Sequence, residues 1–430
     1  MAEKRRSIIL MIDGLFAPCG DGATKRFVEI AHRLHQLNLT VWVVLAHRGW
    51  SNIELLSKFP FNIILVSVDD YYITTKPLMD IIDSINPDFI QCKEPEILAS
   101  LVFRDLIPAN TRLIFDCHDV KEHRKMEDMF ACMISDITIC VSQKEADDLV
   151  GKEYLDKESV RYIPHSILET EIKTPMVREE VANLAFLGHL FYQPNIDALE
   201  WIASHLMPAL CKEYPNLVLN VYGHYPATVL KNKWAHNCKF HGFVENLSES
   251  LRMCDLGISV VFTGSGTRIK TFDYIVSGIP FVANELGFQG MGDISDIEIG
   301  SDVCDLVKLS LRFIKEKGLR ERFINKCQVH LKKNFSESAI KSLFQYTYLD
   351  FPFDRKSDSF STRIEKFCVQ NVISNSGEFL RNLFLRPQPW MKELIEKKRF
   401  NTMDNKLIKP GEWYHLNKSM PEIAKLNSSI

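Results

Sequence analysis

The residues best suited to chemistry lie between Gly264 and Glu285, in the stretch GSGTRIKTFDYIVSGIPFVANE. Glycines alternate with hydroxyls at Gly264, Ser265, Gly266 and Thr267; cations follow at Arg268 and Lys270, and an acid at Asp273. Backbone N–H groups at a helix start attract anions, and glycines let a phosphate come close to them. Arg268 and Lys270 would add charge-assisted hydrogen bonds to phosphate oxygens. Asp273, about two turns into the helix, could accept hydrogen bonds from ribose hydroxyls. The pattern predicts a nucleotide diphosphate site. The alternative is a plain Gly-rich turn before a helix.

Such a loop must be held by its flanking elements. Leu256–Phe262 reads as a buried strand before it and Ile279–Ala283 as an apolar run after it, giving strand, glycine loop, helix, strand. The same alternation fills the first part of the chain. Ser7–Ile12 leads through Gly14–Gly22 to a helix, Ala23–Leu37, with apolar residues at Phe27, Ile30, Ala31 and Leu34. Strand-like runs recur at Thr40–Ala46, Asn62–Val68, Phe89–Cys92, Arg112–Asp116 and Ile137–Val141. A polar stretch with Pro175, Glu169–Glu180, marks a boundary, and the rhythm restarts at Leu184–Gly188, Asn195–Leu210, Leu217–Gly223, Lys239–Phe243 and Leu247–Met253. Continuous apolar strands separated by helices indicate parallel sheets covered on both faces. The expected class is α/β: two facing, doubly wound, Rossmann-like domains over residues 1–170 and 180–345. Ligands then bind beyond the carboxyl ends of the strands, in a cleft between the domains. Residues 346–430 lack the rhythm and are expected to be a partly helical extension.

With 430 residues, 46% hydrophobic and 25% charged, the composition is that of a soluble globular protein. A net charge of −3 gives no reason to expect nucleic acid as a partner. The 11 cysteines are scattered with no C-x-x-C pair, which implies reduced thiols and no zinc site. Ser7–Ile12 is too short for a signal-peptide core, and no later stretch reaches membrane-spanning length, so a cytoplasmic protein is expected. Arg381–Phe400 combines Leu383, Phe384, Leu385 and Trp390 with six cations. It could make peripheral contact with the inner face of a membrane, or pack on the protein with its cations in water.

The second half resembles glycosyltransferase family 4, of the two-domain GT-B fold. The resemblance is carried by Phe186–Gly188 with Gln193-Pro194-Asn195-x-x-Ala198, by Val221-Tyr222-Gly223, by His241-Gly242-Phe243-Val244-Glu245, and by Gly264–Asp273 with Gly278-Ile279-Pro280. Phe335-Ser336-Glu337 resembles the entry to that family's last helix. In the first half Gly20–Gly22 with Arg26, Ala31 and Leu34 is similar to its glycine loop, and Asp116-x-His118-Asp119 to its D-x-H element. The likeness covers about residues 7–345. The sequence departs from the family at Ser265, where the first of two paired acids commonly stands, at His189, where a basic residue is expected, and at His165, where an asparagine is common.

The resemblance implies a retaining transfer from a UDP- or GDP-sugar with no metal, no covalent intermediate and no further cofactor. Arg268 and Lys270 would then stabilise the leaving diphosphate, and His118 would meet the transferred sugar. Gly22, Gly188, His189, Ser265, Gly266, Thr267 and Asp273 would bind the donor, Phe243 and Val244 would flank the base, and Glu285 would line the sugar pocket. The acceptor stays open among saccharide, lipid-linked sugar, protein and natural product. A sugar-nucleotide epimerase or phosphorylase, and a non-catalytic binding protein, are the alternatives.

Overall fold

The computed structural model describes residues 5–14, 22–47, 53–73, 76–103, 106–118, 125–151, 155–225, 237–264, 266–292, 294, 296–350 and 413–415. They fall into two compact units: residues up to Ile163 together with those from Lys341 on, and Pro164–Ile340.

The first unit holds strands β1 (Ser7–Asp13), β2 (Thr40–His47), β3 (Asn62–Ser67), β4 (Phe89–Cys92), β5 (Arg112–Cys117), β6 (Ile137–Cys140) and β7 (Val160–Tyr162). All seven are parallel, in the order β3-β2-β1-β4-β5-β6-β7. A parallel sheet needs cover on both faces. One face, with Ile9, Met11, Val44, Ile90, Cys92, Leu113 and Phe115, packs against Tyr71, Leu78, Ile82, Leu98 and Phe130. The opposite face carries Gln91 and Asp116 and receives the helix Gly22–Gln36, whose Phe27, Ile30, Ala31 and Leu34 are buried.

The second unit is a five-stranded parallel sheet of β8 (Asn183–Leu187), β9 (Val218–Tyr222), β10 (Cys238–Gly242), β11 (Leu256–Ser259) and β12 (Phe281–Ala283), in the order β10-β9-β8-β11-β12. The polar stretch 169–180 is fastened to this unit. Lys173 N–H donates to Val276 O at 2.8 Å, Met176 N–H to Gly278 O at 3.0 Å, and Arg252 and Gln328 cap its carbonyls at Thr174 and Lys173. Polarity here reflects backbone recruited by side chains, and a loose linker is not needed to explain it.

Some expected elements shift. The run Leu256–Phe262 leaves the sheet after Ser259, because the N–H and C=O of Val261 turn to the side chain of Asn284. The helix expected over Asn195–Leu210 starts at Gln193, widens to π-helical winding at Ile202–Leu206 and resumes at Met207–Cys211. Pro208 has no N–H, and the wider turn lets the neighbouring N–H of Met207 bond to Ile202 O instead. A further strand, β13 (Trp413–His415), pairs antiparallel with the β3 edge. Three residues are too short to show a period.

Among the described residues no helix is long and apolar enough to cross a membrane. No disulfide joins any described cysteine. The basic segment Arg381–Phe400 lies outside the described residues.

Candidate functional site

In the second unit every parallel strand ends at the same edge, and the chain reverses its direction of travel across the sheet between β8 and β11. Loops on either side of such a switch point splay apart and leave a crevice. The glycine loop rises from β11 into it. Gly264 and Gly266 sit at φ of +105° and +80°, a left-handed region where a side chain is strained. Arg268 occupies the cap of the helix Ile269–Ser277 and its side chain accepts none of the first-turn N–H groups; its carbonyl accepts from Thr271 N–H at 3.0 Å.

Arg268 is 9% exposed. Its Nε donates to Leu286 O at 3.0 Å and its Nη2 to Gly264 O at 2.8 Å, while its backbone N–H donates to Gln289 O. The guanidinium therefore braces the glycine loop against the segment after β12. That segment is pinned in turn. Ser259 and Thr271 both donate to Gly287 O at 2.9 and 2.7 Å, and Asn284 Oδ1 accepts from Val261 and Gly287 N–H groups. A Cβ on Gly287 would lie 1.6 Å from Ser259 O, so only glycine fits there.

Lys270 Nζ donates to Asn195 Oδ1 at 3.0 Å and lies 4.7 Å from the Phe186 ring centroid. Burial and the neighbouring Arg268 charge pull its pKa down to about 7. Two cations in one half-buried crevice, with a neutral amide as the lysine's hydrogen-bond partner, are arranged for an anion. Asn195 has its amide orientation set because Nδ2 donates to His189 O at 3.1 Å. Replacing Asn195 with alanine should therefore weaken binding of UDP or GDP about 5- to 10-fold, roughly one charge-assisted hydrogen bond, in a calorimetric titration. Unchanged affinity would show that Lys270 needs no such aim.

Thr267 adds a buried Oγ1 with no hydrogen-bond partner among the described residues. Phe243, 38% exposed, stacks on His224 with centroids 4.9 Å apart and planes 13° from parallel, so it presents a ring face at the strand ends. Val244 packs on the core of the unit, which leaves Phe243 as the ring on offer. Gly188 donates its N–H to Tyr222 O; His189 is exposed, 5.1 Å from the Phe191 ring and 6.0 Å from that of His224. Asp273 is partly exposed and stands little more than one turn into its helix, not two, because the helix begins at Ile269. Glu285 is exposed. Ser265 lies outside the described residues.

In the first unit Gly22 opens the helix Gly22–Gln36, and His118 follows β5. Asp116 is fully buried, and burial alone would raise its pKa; the Arg26 guanidinium at 2.9 Å and His118 at 3.2 Å overcome this and hold the carboxyl well below the usual range. Gly20 and Asp119 lie outside the described residues.

The sequence reading missed Asn195, Asn284 and His224 as supporting groups. Asn195 stood within a motif already quoted, and His224 directly follows Val221-Tyr222-Gly223. Asn284 carried no signal, since its role depends on two loops meeting.

Residues 182–298, which contain this crevice, match the model of the family described as glycosyl transferases group 1. A stretch of 110 residues is 27% identical to a subunit of human phosphatidylinositol N-acetylglucosaminyltransferase; it covers 25% of this chain and 22% of that protein. The solved structure of HepE from Anabaena, a complex with UDP and glucose, is similar over 81% of this chain and 100% of its own, with a TM-score of 0.62 and 14% identity. Sucrose-phosphate synthase from Thermosynechococcus elongatus is similar over 80% of this chain and 99% of its own, with a TM-score of 0.63 and 13% identity. The fold is the two-domain α/β GT-B architecture, and the match to the glycosyl transferases group 1 model lies within its second unit.

Proposed function

We propose that this protein transfers a sugar from a nucleoside-diphosphate donor to an acceptor, with retention at the anomeric carbon and no metal. One observation carries the reading: a half-buried lysine with a pKa held down to about 7 stands beside Arg268 where a left-handed glycine loop meets a helix start. A bound diphosphate would relieve the repulsion between these cations.

Breaking the glycosidic bond puts negative charge on the leaving phosphate and positive charge on the anomeric carbon. Arg268, Lys270, the Thr267 hydroxyl and the N–H groups at the helix start would take up the first. Phe243 on His224 offers a face for the base, and Asp273 a carboxylate for the ribose. His118, oriented by Asp116, would meet the transferred sugar. The Anabaena relative's complex with UDP and glucose supports a uridine donor.

Calorimetry with UDP and GDP, followed by release of nucleoside diphosphate across a panel of UDP- and GDP-sugars, tests the reading. Binding of one nucleotide and turnover of at least one sugar are expected. Absence of any nucleotide binding would overturn it. Turnover is expected to persist in EDTA; loss that only a divalent cation restores would place the leaving-group charge on a metal.

A further inference from the structure

Behind His118 lies a chain of buried polar groups that the transfer chemistry does not itself require. Tyr348, on the helical turn Gln345–Leu349, is fully buried and donates to Gln91 Oε1 at 2.6 Å. Gln91 Nε2 donates to Asp116 Oδ2 at 2.7 Å. Asp116 Oδ1 accepts from Arg26 Nε at 2.9 Å and lies at ion-pair distance, 3.2 Å, from His118 Nε2, a buried nitrogen that completes no hydrogen bond among the described residues. Gln91, Asp116, Arg26 and Tyr348 are each at most 1% exposed.

We infer that Tyr348 and Gln91 are positioning residues for His118, acting through Asp116; this rests on the role given to His118 above. An amide can present either its oxygen or its nitrogen to a neighbour. Asp116 decides which: its charged carboxylate can only accept, so Nε2 must face it and Oε1 is left to accept from Tyr348. The Tyr348 hydroxyl, whose proton burial holds firmly, then pins the amide from its other side. The carboxylate is then gripped on one oxygen by Gln91 and on the other by Arg26, and its plane sets the edge that His118 meets. Phe89 and Phe344, with ring centroids 5.8 Å from that of Tyr348, hold the phenol in place. A buried polar cluster that merely fastened the returning chain would need no such directional order ending at a partly exposed histidine.

Tyr348→Phe removes one oxygen and keeps the ring. With the most active donor of the sugar-nucleotide panel, kcat should fall about tenfold, as for a misaligned reacting group, with KM and the Kd for UDP within about twofold. The 15N signals of the His118 imidazole, identified by their absence in His118→Ala, should shift in ligand-free Tyr348→Phe. Gln91→Met should do the same, and the double variant should lose little more than either single one. Unchanged kcat and unchanged His118 signals in both folded variants would overturn the inference. Wild-type turnover by His118→Ala would overturn it together with the role of His118. If UDP and GDP fail to bind, the proposed function falls, while the imidazole signals still decide the relay.

Discussion

Arg268→Ala is expected to remove transfer and, unlike loss of an ordinary ligand-binding cation, to loosen the second unit as well. Removing a donor aimed at developing negative charge typically costs about 100- to 1000-fold in kcat. The same change leaves Leu286 O and Gly264 O without their guanidinium donors. Unmatched carbonyls of this kind cost about 1–3 kcal/mol, which for a unit of this size is a Tm lower by several degrees. Arg268→Lys keeps a charge but cannot span both carbonyls, so it should recover little of either loss. Nucleoside-diphosphate release and a thermal melt on the same preparations check this. Activity within about threefold of wild type would remove Arg268 from the leaving-group role; a lost activity with an unchanged Tm would mean the brace is of no consequence.

Lys270 leads to an effect of similar size, visible through pH. In the empty site burial and Arg268 hold its pKa to about 7; a bound diphosphate would raise it. Binding therefore favours the protonated lysine. Below pH 7 the lysine already carries its proton and affinity is flat on this account. Above pH 7 each binding event must take up a proton, and affinity for UDP or GDP should fall up to tenfold per pH unit. The range from pH 7 to 9 lies above the phosphate's own titration near about 6, so the two do not overlap. Calorimetry in buffers of different ionisation enthalpy should show about one proton taken up at pH 8. Lys270→Met should bind weakly with no such slope. The empty protein has the opposite dependence: its unfolded chain, with a lysine pKa of about 10.4, binds more protons than the folded one between pH 7 and 10, so stability contributed by this group rises with pH there. A slope that persists in Lys270→Met would assign the effect to another group.

The parts of the site legible in sequence are those written in consecutive residues. The left-handed turns at Gly264 and Gly266 and the cations at Arg268 and Lys270 could be read from sequence because backbone conformation and side-chain charge are both local properties. The strands were legible as apolar runs since both faces of a parallel sheet are buried. What stayed hidden depends on distant residues meeting. Asn195 and Lys270 touch because β8 and β11 are neighbours, and Asn284 ties two loops that only the fold brings together. Sequence also made Arg268 a ligand group alone, since nothing in its spacing shows that two carbonyls close around it. Gln91 stands in a four-residue strand of otherwise apolar or thiol side chains, and its polarity explains itself only when Tyr348 and Asp116 appear on either side.

The first unit draws on both ends of the chain, through Tyr348 against Gln91 and through β13 on the β3 edge, whereas the second is one continuous run, Pro164–Ile340. This difference sets an order of events during synthesis. The ribosome delivers everything the second unit needs before it delivers Tyr348 or Trp413. At about 5–20 residues per second, several seconds separate completion of the two. Tyr348 follows Ile340 by only eight residues, but for the rest of that interval the nascent first sheet would carry β3 with an open edge, a row of unmet backbone groups of the kind that recruits other strands. The emerging chain is therefore most vulnerable to misassembly in its oldest part.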